Sequence, residues 1–251
     1  MPADAPTPFG TKIFAPLPAV TRPIQHFCED SLRLRPIWCL TIVRAGMPGD
    51  DFGQKVDLTS RIREILVNYP AGTTVLKEFV QNADDGGAGV VRFCIDERTF
   101  PSATLAHERL APFQGPSLLV FNDGVFTERD FESIQNIGDS QKKSELAKTG
   151  RFGIGFNSCY HITELPSFLS RTSLIMFDPQ AKYLPDVNPA NPGKKIDVLS
   201  QAVQLHFPDQ IEPFRAFGSD LASDYKATLF RLPLRTAEQA KTSKVRGYPA
   251  H

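Results

Sequence analysis

Glu78 and Asn82 are the residues of this chain best suited by type and spacing to do chemistry. They stand four apart in Leu76-Lys77-Glu78-Phe79-Val80-Gln81-Asn82-Ala83-Asp84-Asp85, so on a helix they share one face. Asp85 follows one turn on, on nearly the same side. Val75, Leu76, Phe79, Val80 and Ala83 make the opposing apolar stripe. A carboxylate and a carboxamide so placed can activate a water and hold a hard cation. Taken alone, the spacing also suits an amphipathic surface helix that ends at Gly86-Gly87.

Two glycine-bearing segments further on shift that balance. Leu118-Leu119-Val120-Phe121 is an apolar run ending in Asn122-Asp123-Gly124, which reads as a buried strand entering a tight turn. Gly150-Arg151-Phe152-Gly153-Ile154-Gly155-Phe156-Asn157 places three glycines ahead of a helix-like stretch. Glycines there allow close backbone approach, and N–H groups at a helix start can cradle phosphate. The spacing Gly-x-x-Gly-x-Gly is neither the dinucleotide fingerprint nor a Walker loop, because no Gly-Lys-Ser/Thr follows.

In this order the three segments resemble the GHKL ATPases, the group of gyrase B, the heat-shock-90 chaperones, histidine kinases and MutL. The resemblance is strongest to the chaperone-like ATPase domain of sacsin and its plant and fungal relatives. It is carried by Tyr69-Pro-Ala-Gly, Leu76-Lys-Glu-Phe-Val-Gln-Asn-Ala-Asp-Asp, Gly115-Pro-Ser-Leu-Leu-Val-Phe-Asn-Asp and Gly150-Arg-Phe-Gly-Ile-Gly-Phe-Asn-Ser, and it runs from about Phe52 to Arg235. It implies an α+β fold, a two-layer sandwich of the Bergerat type, with a mixed sheet covered by helices on one face. The cofactors it implies are ATP and Mg2+.

Residue by residue, the resemblance makes Glu78 the general base, Asn82 the magnesium ligand and Asp85 the carboxylate that holds site waters. It makes Gly150, Gly153, Gly155 and Phe156 the loop that wraps the phosphates, with Arg151 inside it to offset their charge. Thr228 takes the adenine side. The polar stretch Gly138–Thr149 falls where the family has its ATP lid, with Lys142 and Lys143 as phosphate contacts; a plain solvated loop is the alternative. The family's second motif is Asp-x-Gly-x-Gly, whereas this chain has Asn122-Asp123-Gly124-Val125-Phe126. Either Asn122 or Asp123 then reads the adenine amino group, next to Gly124. Val125 or Phe126 stands in place of the second glycine, and a phenylalanine there would crowd the pocket. Ala227 stands where a glycine often precedes the threonine.

Two functions follow from the resemblance. One is magnesium-dependent ATP binding and slow hydrolysis in a chaperone-like domain, coupled to lid closure, with protein clients or co-chaperones as partners. The other is a non-hydrolysing nucleotide-binding module, or an empty scaffold.

Composition narrows the field. Lysine plus arginine equal aspartate plus glutamate at 28 each, which gives no electrostatic case for a nucleic-acid or membrane partner. Cys28, Cys39, Cys94 and Cys159 form no Cys-x-x-Cys pair, so the expectation is a reducing, cytoplasmic or nuclear compartment. Cys94 reads as a small core residue in its apolar run, and His161 as a packed or capping residue. The N-terminal stretch lacks the basic start and apolar core of a secretory leader, and Ile37–Val43 is too short to span a bilayer.

The elements must position these residues. Residues 1–51, with Pro2, Pro6, Pro8, Pro16, Pro18 and Pro23, read as a proline-rich leader. The domain is placed at 52–236 and a polar, fraying tail at 237–251. Within the domain, helices are expected at 60–68, 74–85, 127–137 and 153–160, and strands at 90–96, 117–121, 174–177 and 227–234. Residues 98–115 read as an excursion and 179–196 as a long loop.

Overall fold

The computed structural model describes residues 57–135 and 155–245. The expected leader, the lid stretch with Lys142 and Lys143, and Gly150, Arg151 and Gly153 lie outside them. Helix α1 spans Leu58–Asn68; Asp57 caps it by accepting a 3.0 Å hydrogen bond from the Thr59 N–H, and Ile62, Ile65 and Leu66 form its buried stripe. Tyr69-Pro70 ends that helix. Gly72, at φ 99°, turns the chain into α2, Thr73–Asp85. Strands β1 and β2 are Val91–Asp96 and Ser117–Asn122, and α3 is Glu128–Gln135. A 3-10 segment covers Gly155–His161, and β3 and β4 are Ser167–Arg171 and Ser173–Phe177. Then come β5 at Gly193–Asp197, α4 at Gln201–His206, α5 at Pro208–Ile211, β6 at Tyr225–Pro233 and α6 at Ala237–Thr242.

The strands form one sheet in the order β1-β2-β6-β3-β4-β5. The architecture is the expected α+β sandwich, but among the described residues the sheet is antiparallel at every pairing and not mixed. The connections explain this. β1 returns as β2, β3-β4-β5 is a meander, and β6 enters antiparallel to both β2 and β3, so no parallel crossover arises.

The longer helices cover one face. Ile62, Leu66, Val75, Phe79, Phe131 and Phe156 pack there on Val120, Phe168, Phe230 and Leu232. The other face is buried too, which the one-sided expectation missed. Leu119, Leu169, Leu174 and Leu229 point into a second core with Leu110, Phe113, Ile211 and Phe214. Central strands apolar on both faces need two covers. The second cover comes from α4, α5 and a 3-10 turn, Glu108–Phe113, inside the stretch read as an excursion.

Three further expectations change. The long loop at 179–196 ends in β5. The tail does not simply fray: Thr236 and Gln239 form a capping box on α6, and Val245 is buried in the first core. Cys94 is exposed: it stands on β1, the terminal strand among the described residues, on the face of its partner Leu119 and outside the second core.

Candidate functional site

Helix α2 sets the first two groups. Val75, Phe79 and Ala83 are its buried stripe, which leaves Glu78 and Asn82 half-buried on an adjoining face. Leu76 and Val80, read with the apolar stripe, are exposed instead. Asp85 is exposed on the last turn, and it is not among the residues lining the cavity described below.

The Glu78 carboxylate rests on Gly155, the first described residue of the third motif. A Cβ at Gly155 would lie 1.8 Å from Glu78 Oε2 and 2.8 Å from its Cδ. Only glycine leaves room for the carboxylate in this place. Burial raises the Glu78 pKa above the usual carboxylate value, and no described residue donates a hydrogen bond to it. A carboxylate held partly dry and unpaired is poised to accept a proton. Phe156 behaves differently from the expectation of a phosphate loop. Its ring is in the core, 6.2 Å from Phe79, 5.7 Å from Phe177 and 6.0 Å from Phe230, and it anchors the segment that carries Gly155.

The second motif divides its two polar residues. Asn122 ends β2, buried, and its Oδ1 accepts the Gly124 N–H at 3.0 Å. Asp123 turns outward, where its Oδ1 accepts the Val90 N–H at 2.9 Å and its own N–H donates to the Val90 carbonyl. So Asn122 lines the cavity beside α2, and Asp123 ties down the loop before β1. Gly124 needs its missing side chain: a Cβ would lie 3.0 Å from Asn122 Oδ1.

Asn122, Thr228 and Ser170 are cross-strand partners on β2, β6 and β3, on the face toward the helices. Thr228 Oγ1 lies 2.8 Å from the Gly124 carbonyl and 3.0 Å from Ser170 Oγ. Ser170 donates to the Ala227 carbonyl and accepts the Phe126 N–H. A polar row thus crosses three strands of an apolar face. Ser170 was missed by sequence reading, because β3 carries no motif. Asp130, also missed, stands at the rim and accepts from the Thr127 N–H and hydroxyl.

Between this row and α2 lies a cavity of about 40 Å³, lined by Phe79, Asn82, Asn122, Gly124, Phe126 and Thr228 among others. That holds a water or two, far below the roughly 300 Å³ of a typical ligand pocket. The Phe126 ring fills space here, 4.7 Å from Phe168 and 5.3 Å from Phe131, as the second-motif departure implies. A larger cavity, about 450 Å³, lies by α3 and the loop before β5, with Phe131, Ile175 and Lys195 in its wall, and contains none of the candidate residues. Of the candidate residues, Asn82, Asn122, Gly124 and Thr228 line the smaller one.

For a metal, the available donors are the Asn82 carboxamide and the Glu78 carboxylate. No cluster of three or more His, Cys, Asp or Glu able to hold an ion occurs among the described residues. That fits Mg2+ held mostly by phosphate oxygens and water, and does not fit an all-protein cage.

A buried clamp holds the third segment from behind. Arg235 pairs with Glu164, which has no solvent exposure, and donates to the carbonyls of Tyr160, His161 and Thr163. His161 Nε2 meets the Tyr69 carbonyl at 2.6 Å, and burial lowers the His161 pKa. Gly155 is therefore fixed from the far end of its own turn, and through His161 to the α1–α2 junction.

The fold and this meeting of a helix carboxylate with a glycine-opened segment define an α+β sandwich of the GHKL type. The family model described as the sacsin domain matches residues 55–249, and human sacsin is 43% identical over 203 residues, 80% of this chain. The chain belongs to the sacsin domain family, and spans about 4% of the length of human sacsin.

Proposed function

We propose that this domain binds Mg-ATP and hydrolyses it slowly, as a chaperone-like module of the sacsin type. The observation that carries the reading is the Glu78 carboxylate: unpaired among the described residues, raised in pKa by burial, and seated on Gly155. A binding module has no need of a base held in that state, whereas hydrolysis does. Glu78 accepts a proton from the water whose oxygen bonds to the terminal phosphorus, as the bond from that phosphorus to the bridging oxygen breaks and ADP leaves. Asn82 offers an oxygen to magnesium, which when bound offsets charge on the phosphates. Asn122 offers a neutral acceptor to the adenine amino group, with Thr228 and Ser170 behind it. Lys142, Lys143, Gly150, Arg151 and Gly153 complete the phosphate side in this proposal, and Asp85 holds water at the open end. Clients or co-chaperones, and a cytoplasmic or nuclear setting, belong to the same proposal. No helix among the described residues is long and apolar enough to cross a membrane.

One observation favours the second reading, a module that binds without turnover or stays empty. Phe126 lines the cavity beside Asn122, where this proposal seats the adenine, and that cavity is about 40 Å³. Phosphate release from Mg-ATP separates the two. Hydrolysis that Glu78→Gln reduces by about 100-fold or more, the usual reach of a general base, supports the ATPase. Turnover unchanged by that substitution removes Glu78 from the chemistry.

A further inference from the structure

We propose that the open edge of β1 is a dimer interface, at which two copies of this chain join their sheets antiparallel. β1 is the terminal strand among the described residues, and its six residues pair with β2 without a bulge. Val91, Phe93 and Ile95 share the helix-facing side, opposite Asn122, Val120 and Leu118. Those three β2 residues are buried, yet Phe93 is 38% and Ile95 58% exposed. Among the described residues the helical layer therefore ends between β2 and β1, and leaves an apolar face beside an edge that none of them pairs with.

The backbone points the same way. Val90 accepts the Asp123 N–H, so the alternation of an antiparallel ladder turns Arg92, Cys94 and Asp96 toward β2. It turns the N–H and C=O groups of Val91, Phe93 and Ile95 outward. Natural edges of this kind are blunted by lysine, proline, a bulge or an inward charge. Val91–Asp96 has no lysine or proline. Its two charges lie on the opposite face, Arg92 over the Phe121 ring at 5.5 Å and Asp96 buried against Arg98. No described residue guards this edge, and such an edge is a template for another strand.

The occupant is a second copy, because the strand is self-complementary. A two-fold axis at Cys94 sets Phe93 opposite the second copy's Ile95 on the helix-facing side, and Ile95 opposite its Phe93. These pairs exchange the outward hydrogen bonds. Arg92 then faces Asp96 of the other copy on the far side, so no like charges oppose. Cys94 meets its own counterpart at a non-hydrogen-bonded site, where Cα atoms lie about 4.5 Å apart, within disulfide reach. The interface is small, so the dimer is concentration-dependent.

Sedimentation of the full chain over a wide concentration range tests this. The expected result is a reversible dimer that Ile95→Lys weakens at least tenfold; Ile95 is a surface residue, and an unchanged melting curve verifies the fold. Diamide, which takes two protons and two electrons from a pair of thiols, is expected to give a covalent dimer lost in Cys94→Ser and suppressed by Ile95→Lys. A monomer at every concentration, a dimer indifferent to Ile95→Lys, or a cross-link through another cysteine overturns the proposal.

Discussion

At the scale of single residues, the account rests on Glu78 and the space that Gly155 leaves for it. The raised pKa makes a stability prediction as well as a chemical one. The folded state holds the Glu78 proton more tightly than the unfolded chain does, so its contribution to stability falls as pH rises through the carboxylate range. Glu78→Gln removes that cost. The substitution is expected to abolish turnover and to raise the melting temperature slightly at pH 7, with a gain that vanishes toward pH 4; a melt series across pH checks it. Gly155→Ala makes the complementary case. Its Cβ collides with the mobile end of Glu78, which can swing aside, so stability changes by less than about 1 kcal/mol while turnover falls nearly as far as in Glu78→Gln. Wild-type phosphate release from Gly155→Ala contradicts the placement of the carboxylate. Both residues were legible in the sequence, because a four-residue spacing and a glycine cluster are local signals. Their contact was not, since 77 positions separate them, from 78 to 155.

At the scale of elements, the polar row Asn122–Thr228–Ser170 shows what local pattern conceals. Asn122 and Thr228 stand out in sequence through motif and alternation. Ser170 stands on a five-residue strand buried on both faces, where nothing alternates, and its partner Thr228 is 58 residues away. Thr228→Val keeps the shape and removes the hydroxyl between Gly124 and Ser170. The cost is expected to be about 1–3 kcal/mol, the usual price of stranding buried polar groups, read as a shift in the urea midpoint. A midpoint unchanged from wild type means the row is not held by Thr228. β1 carries the opposite lesson. Its alternation correctly puts Val91, Phe93 and Ile95 on one side, but whether that side is covered depends on where the helical layer ends, which strand period does not encode. Cys94, on the other side of β1, was read as a core residue because strand period does not say how far the second core reaches either.

At the scale of the whole molecule, the sandwich was legible from the three motifs in order, while its second core was not. The residues that build that core, Leu110, Phe113, Ile211 and Phe214, sit in short turns with no sustained period. The Arg235–Glu164 clamp is equally long-range, 71 residues apart, and it ties the last strand's exit to the segment that presents Gly155. Arg235→Met leaves the buried Glu164 carboxylate with the Gln180 amide but without a counter-charge, and is expected to cost about 3–5 kcal/mol, whereas adding Glu164→Met restores much of the loss. Chemical denaturation of the single and double variants measures both, and a double variant as unstable as the single one contradicts the ion-pair account.

The central claim is that Asn82 and the glycine-lined face of α2 make a magnesium-dependent nucleotide site. Calorimetric titration of the folded chain with ATP, with and without Mg2+, tests it most directly. The expected result is saturable binding that requires Mg2+ and is lost in Asn82→Ala. No heat of binding from the folded wild-type chain, or binding indifferent to both Mg2+ and Asn82, contradicts it, and leaves the domain as a scaffold whose adenine end Phe126 has closed.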